Sequence, residues 1–339
     1  MRWLTIIAAV LAALYGGYWV YTRGAVEDAI TRALAEAEAT GRVAVGHAGW
    51  SIVGFPSRFD TTFDALRIED PVTGLAWQAP WFQVFALAYR PNEVIAVWPE
   101  TQTLEVAGRA MDLTTERMRA SARVRPNTAL SFDRATLEVD RPRLQGLADE
   151  SDLTMARLLA AMRSVPEVAN GYDLFLEAQS VVLPASWQAL LDPEGTLPPS
   201  IRQLRMDATA RFDQPLDRFA GGAGPVGIEA LSVREFGAQW GDMALSVIGD
   251  VTADAAGRAN GSLTLSVTGW RRALAMATRA GLVDEGFDVT LTTMGEALDE
   301  TPQIAETRRF FSAEIPRGSR PQGRRGQRPL PARHARTGL

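Results

Sequence analysis

After Gly41 the spacing of apolar residues changes from a helical period to a period of two, and that change limits what the rest of the chain can become. Between Glu116 and Arg125, Met118, Ala120, Ala122 and Val124 alternate with Arg117, Arg119, Ser121, Arg123 and Arg125. Successive strand residues point to opposite faces, so such a segment buries one face and wets the other. The arginine row suits a solvated face paired with acids on neighbouring strands, and could also meet phosphate or lipid headgroups. The alternation returns over Leu204–Phe212 and through Ile228–Trp270, with Ala255-Ala256-Gly257 as a hairpin turn. The expected fold is mainly β (β-rich α+β), an elongated, mostly antiparallel curved sheet with a few short helices. One helix is expected over 151–163, from the spacing of Met155, Leu158, Leu159 and Met162, and another over 270–280 with Gly281 as its cap.

Ahead of this body, Trp3 to Tyr21 is uncharged and almost wholly apolar. As a helix it reaches roughly 28 Å, close to the hydrocarbon thickness of a bilayer. It reads as an N-terminal transmembrane helix, with Trp3, Ile6, Ile7, Val10, Leu11, Leu14, Tyr15, Tyr18 and Trp19 as membrane-anchor residues. A cleaved secretory signal has a shorter apolar core and a small-x-small ending; here Tyr15, Tyr18, Trp19 and Tyr21 crowd the far end and suit a headgroup belt. The positive-inside rule favours a cytoplasmic start and an external body. From Ala25 to Thr40, Val26, Ile30, Ala33, Leu34 and Ala37 recur at helical spacing opposite an acidic face, which reads as a helical stalk. The stretches are therefore 1–23, membrane anchor; 24–41, stalk; 42–307, β-rich periplasmic body; and 308–339, a tail.

Charge narrows the partners. Lysine is absent, so all 35 basic residues are arginine, and nine of them fall at or after Arg308 with Glu314 as the one acid there. Residues 1–307 hold 26 arginines against 39 acids, a net charge of −13, which argues against nucleic acid. From Pro316 the chain is dense in Arg, Pro and Gly, a composition that cannot support a packed core and is expected to be disordered. A basic segment for anionic lipid and an out-of-frame gene end both account for it.

With no cysteine, thiolate nucleophiles, disulfides and Cys-based metal sites are removed together. The imidazoles are His47 and His334, the second of them in the tail. Gly49-Trp50-Ser51-Ile52-Val53-Gly54 has one residue too many for a nucleophile elbow, and the Gly221–Gly227 loop lacks the strand-before, helix-after context of a phosphate cradle. No catalytic, cofactor-binding or metal-ligating set emerges, and no cofactor is expected. The other feature is Trp81-Phe82-Gln83-Val84-Phe85-Ala86-Leu87-Ala88-Tyr89, apolar at nearly every position. A strand of that kind is covered on both faces, by protein or by something apolar that is bound. Trp81, Phe82, Val84, Phe85 and Leu87 are the candidate apolar groove.

Two motifs carry a resemblance. Gly54-Phe55-Pro56 with Arg58-Phe59, and Trp240-Gly241, Gly249, Gly257-Arg258, Gly261 and Leu263-x-Leu265-x-Val267, resemble the domain-of-unknown-function family 2125 of the Gram-negative envelope over roughly residues 1–295. The second motif is also similar to the repeated strands of AsmA-like proteins, which span the periplasm as apolar-lined β grooves for lipid. The closer family has no assigned activity and no catalytic residues to carry over. Taken with the anchor and the apolar residues on both faces of Trp81–Tyr89, the expected protein is non-catalytic, single-pass in the inner membrane and with its body in the periplasm. Its expected role is lipid binding or envelope maintenance through a concave apolar sheet face, with membrane lipid as partner. Two alternatives stand beside it: a scaffold for other envelope proteins along a sheet edge, and a carboxylate-dependent hydrolase.

Overall fold

The computed structural model describes residues 2–41, 43–147, 151–220, 222, 224–253, 258–281 and 308–314, with the backbone course alone for 2–9, 12, 13, 40 and 308–314. A single helix, α1 (Arg2–Thr40), takes in both the expected anchor and the expected stalk. It ends where the Gly41 N–H donates back to the carbonyls of Ala37 and Glu38, at 3.1 and 3.2 Å. Among the described residues, no helix is long and apolar enough to cross a membrane.

The strands follow as β1 (Ala44–Gly46), β2 (Gly49–Val53), β3 (Arg58–Asp70), β4 (Leu75–Leu87), β5 (Arg90–Trp98), β6 (Thr101–Val106), β7 (Arg109–Thr114), β8 (Arg117–Val124) and β9 (Phe132–Asp140). Next come β10 (Arg143–Gln145), β11 (Leu153–Thr154), β12 (Arg157–Ser164), β13 (Gly171–Val181), helix α2 (Ala185–Leu191), β14 (Ile201–Phe212), β15 (Ile228–Trp240), β16 (Met243–Ala253) and β17 (Ala259–Thr268). Helix α3 (Trp270–Arg279) and β18 (Arg308–Glu314) complete the described chain. All the strands belong to one sheet, and every pairing in it is antiparallel. Read across, β1 and β2 share the outer side of β3, followed by β4, β5, β8, β9, β12, β13, β14, β15, β16, β17 and β18. The shorter β6, β7, β10 and β11 extend the same meander beyond a line of interruptions.

That line crosses one strand after another. Ala65 of β3, at φ 49°, lies beside Pro80 where the β3–β4 register skips from Asp64↔Trp81 to Leu66↔Ala79. Residues 99–100, 115–116, 141–142 and 155–156 then interrupt the neighbouring strands, and Ser180 of β13, at φ 52°, ends the line. The gaps are stitched by Thr115 N–H to Glu100 O at 2.8 Å, Glu116 N–H to Asp140 O at 3.0 Å, Arg141 N–H to Ala156 O at 3.1 Å and Ala156 N–H to Gln179 O at 2.9 Å. Interruptions of this bulge-like kind bend a strand and increase its local twist, so their alignment turns a broad sheet into a curved, open one.

Several expectations need correction. The segment expected as a helix over 151–163 forms β11 and β12 instead. Tertiary pairing overrides the spacing there: β12 is flanked by β9 and β13, and Leu158, Ala160 and Met162 go to one face while Leu159 and Ala161 go to the other. Arg308–Glu314, grouped with the tail for its arginines, runs as β18 along β17. Residues 315–339, the remainder of the expected tail, lie outside the described residues, as does the Ala255-Ala256-Gly257 turn. Helix α3 forms as expected, and α2 is a short helix with no counterpart among the expected elements. The motif glycines Gly249 and Gly261 stand where neighbouring backbone is closest; a Cβ on Gly261 would lie 2.1 Å from Asp250 O, and one on Gly249 2.2 Å from Ser262 O.

Candidate functional site

Register decides which side chains share a face, because directly opposed residues of an antiparallel pair project to the same side. Starting from Thr61, the opposed residues run Val84, Ala96, Ala120, Leu137, Ala160, Leu176, Met206, Phe236, Val247 and Leu265. All but the first are apolar. The row beside it runs from Phe63 and Phe82 through Trp98, Met118, Val139, Leu158 and Ala178 to Leu204, Ala238, Leu245 and Val267. On the other side lies a third row, from Phe59 and Ala86 through Val94 and Ala122 to Met162 and Leu174. At ordinary strand spacings the first two rows cover about 48 Å across β3–β17, the third covers about 29 Å across β3–β13, and the three together take up about 14 Å along the strands.

The face is covered at its ends. At the β3–β4 end, Trp19 of α1 joins Ile52, Phe59 and Ala88 in a buried cluster, with Val26, Ile30, Trp50 and Ala86 packed against it. Trp19 stacks on Phe59 at 5.7 Å, meets Phe55 edge-on at 5.4 Å and donates from Nε1 to Arg58 O at 3.0 Å. It is 7% exposed. The ring expected to lie in a headgroup belt also pins the helix to the sheet. At the other end, Leu197, Trp240 and Met243 form a second cluster, closed by Leu183, Leu191, Ile201, Ala273 and Met276 from around α2 and α3. Between these caps it is the central row that is open: Leu176 is 36% exposed and Phe236 40%, and Leu137, Ala160 and Met206 are half-buried, whereas Val139 and Ala178 of the row beside it are buried.

The candidate groove residues divide by alternation. Phe82 and Val84 lie on the apolar face, and Phe82 meets Trp98 at 5.1 Å and Trp77 edge-on at 5.8 Å. Trp81, Phe85 and Leu87 oppose Asp64, Asp60 and Arg58, and belong to the reverse face. Sequence reasoning named this one strand and missed the contribution of β12–β16. The signal was present in Leu174, Leu176 and Ala178 and in Leu204, Met206 and Ala208, but the registers that join them were not.

The reverse face is charged and cross-linked. Arg117 pairs with Asp140 at 2.6 Å, Arg119 with Glu138 at 2.7 Å, and Arg123 and Arg125 reach Asp133 at 3.4 and 3.8 Å. The acid pairing expected for the arginine row is therefore present. The Arg119 hydrogen bond, against some burial, holds the Glu138 carboxyl below its ordinary value. Further along, Asp173 is bound by Arg163 at 2.9 Å, Arg234 at 3.1 Å and the Thr209 hydroxyl at 2.7 Å, and Arg234 also grips Asp207. These carboxylates are engaged by arginines. A shallow depression of about 330 Å³ lies on this face over Gln203, Arg205, Gln239, Ser246 and Ser266. His47 is exposed between β1 and β2. Among the described residues, no group of three or more His, Asp or Glu side chains is placed to hold a metal ion.

A sequence model of a bacterial family described as "uncharacterized protein conserved in bacteria (DUF2125)" matches residues 19–314. The matched segment begins at the pinning Trp19 and ends with β18. No curated protein and no solved structure matches the chain.

Proposed function

The chain belongs to the DUF2125 family of uncharacterised bacterial proteins, and we propose that it is a non-catalytic, membrane-anchored protein of the bacterial envelope whose open sheet face holds or passes lipid. The observation that carries this reading is the apolar face, about 48 Å across β3–β17 at ordinary strand spacings, with its central row open at Leu176 and Phe236. Soluble proteins rarely leave an apolar patch of that extent without a partner, since each Leu, Met or Phe withdrawn from water contributes about 1.5–3 kcal/mol. Long, shallow and continuous across strands, the face suits acyl chains better than a compact polar substrate.

Anchoring is read from the sequence, from the uncharged run Trp3–Tyr21, and not from the described part of α1. That part is too short an apolar stretch to span a membrane by itself, but it does expose Val10, Leu11, Leu14, Val20 and Tyr21. Arg2 precedes the run and Arg23 and Arg32 follow it, so charge alone does not set the orientation. The reading of a single pass through the inner membrane with the body in the periplasm follows the Gram-negative envelope proteins that the motifs resemble. Membrane lipid is the partner it calls for.

Site-specific photo-crosslinking tests the lipid reading. A photoreactive residue at Leu137 or Leu176 of the full-length chain, expressed in a Gram-negative host, is expected to yield lipid adducts on mass spectrometry. The same probe at Ser121 or Thr136, on the charged face, is expected to yield none. Equal labelling of both faces, or no lipid from either, would overturn the proposal.

A further inference from the structure

The loops beside α1 show where a bilayer surface meets the body. The helix is fastened to two hairpin tips, the β2–β3 tip (54–57) and the β4–β5 tip (88–89), by three ring donors. Tyr15 Oη donates to Pro56 O at 2.9 Å, Tyr18 Oη to Ala88 O at 2.9 Å and Trp19 Nε1 to Arg58 O at 3.0 Å. The two tips are joined by Ala88 N–H to Ser57 O at 2.9 Å. Around these bonds lie side chains that the body leaves in the open: Val53 is 59% exposed, Phe55 61% and Tyr89 66%.

Geometry then ties the tips to the depth of the helix. The residues they touch, Tyr15, Tyr18 and Trp19, lie inside the uncharged run, which ends at Tyr21. Six residues of helix rise about 9 Å. The interfacial layer on each side of a bilayer is about 5–8 Å thick. If the run crosses a bilayer, both tips are therefore carried to the level of the headgroups and the outer hydrocarbon. Their chemistry fits that place. An unpaired carbonyl at that depth is costly, and the Pro56, Ala88 and Arg58 carbonyls are each occupied by a ring donor. Aromatic rings with a polar handle favour this layer, and the exposed Arg58, paired with Asp60 at 2.9 Å, and the exposed Arg90 immediately follow the two tips.

We propose that the Val53–Phe55 and Tyr89 tips are a second membrane contact, a lipid-facing shoe that seats the body on the bilayer in one orientation. This rests on the anchoring reading and adds to it. A helix alone leaves the body free to swing, whereas two inserted tips fix the β3–β4 end of the apolar face against the lipid surface.

The absence of cysteine makes the test direct, since each introduced thiol is the sole label site. Leu11→Cys, Phe55→Cys, Tyr89→Cys and Leu190→Cys in the full chain are spin-labelled. Each is reconstituted in phosphatidylethanolamine–phosphatidylglycerol vesicles, and collision with oxygen and with a water-soluble nickel chelate is measured. The expected result is nickel accessibility at Phe55 and Tyr89 several-fold below that at Leu190, with oxygen accessibility raised toward that of Leu11. Tips as open to nickel as Leu190, with Leu11 in lipid, overturn the shoe while leaving the anchor standing. Tips shielded from both probes are covered by protein, a second copy, and this also overturns it. Nickel access at Leu11 removes the anchoring reading itself.

Discussion

At the scale of single residues, Asp173 shows how the charged face stabilises the sheet. Burial raises its carboxyl pKa, but hydrogen bonds from Thr209, Arg163 and Arg234 outweigh that and hold it below the ordinary carboxylate value. A depressed folded-state pKa contributes stability that is complete above the unfolded value of about 3.9 and is lost as pH falls through the folded value. Asp173→Asn is therefore expected to be less stable than wild type at neutral pH, with the gap closing as the pH drops below about 4. Urea denaturation of both proteins at pH 7, 5, 4 and 3 reads this out. A gap of constant size at every pH would show that the carboxylate charge contributes nothing. The more exposed pairs, such as Arg141–Glu116, are solvated and are worth much less than their short distances suggest.

At the scale of elements, the interruptions from Ala65 to Ser180 separate what was legible in the sequence from what was not. Strands with unbroken alternation, such as β8 and β14, could be read directly, as could α3 with its Gly281 stop. Met155, Leu158, Leu159 and Met162 could not, because residues 155–156 break the period of two and leave a spacing that mimics a helix. The same breaks hid the candidate site: a face built across strands depends on register, which no single strand records. Ala65 tests whether the line is structural. At φ 49° it occupies left-handed backbone, which a β-branched side chain tolerates poorly. Ala65→Val is expected to cost about 1–2 kcal/mol in thermal or urea denaturation, whereas Ala65→Gly should not destabilise to that extent. Equal stability of the two variants would mean that the strand slides to a regular register and the bend is not built in at this position.

At the scale of the whole molecule, a sheet normally buries its apolar face against a second layer, and among the described residues the three helices at the ends of this one do not supply it. The face must therefore be covered by something outside the described chain or remain a liability. A lipid that binds only the folded form stabilises it by mass action, about 2.7 kcal/mol at a hundred times its Kd. Full-length protein stripped of lipid in mild detergent is expected to melt at a lower temperature, to bind a hydrophobic dye and to self-associate on detergent dilution. Adding back phospholipid should reverse all three effects. The double variant Leu137→Glu, Leu176→Glu places charge in the middle of the face without touching either buried end cluster. It is expected to keep its strand signal in circular dichroism while losing both the dye binding and the lipid-dependent rise in melting temperature. If wild type melts at one temperature with and without lipid and stays monomeric when stripped, the sheet is covered by its own chain and the lipid reading falls. If the double variant responds to lipid as wild type does, the lipid sits elsewhere and the apolar rows are not its site.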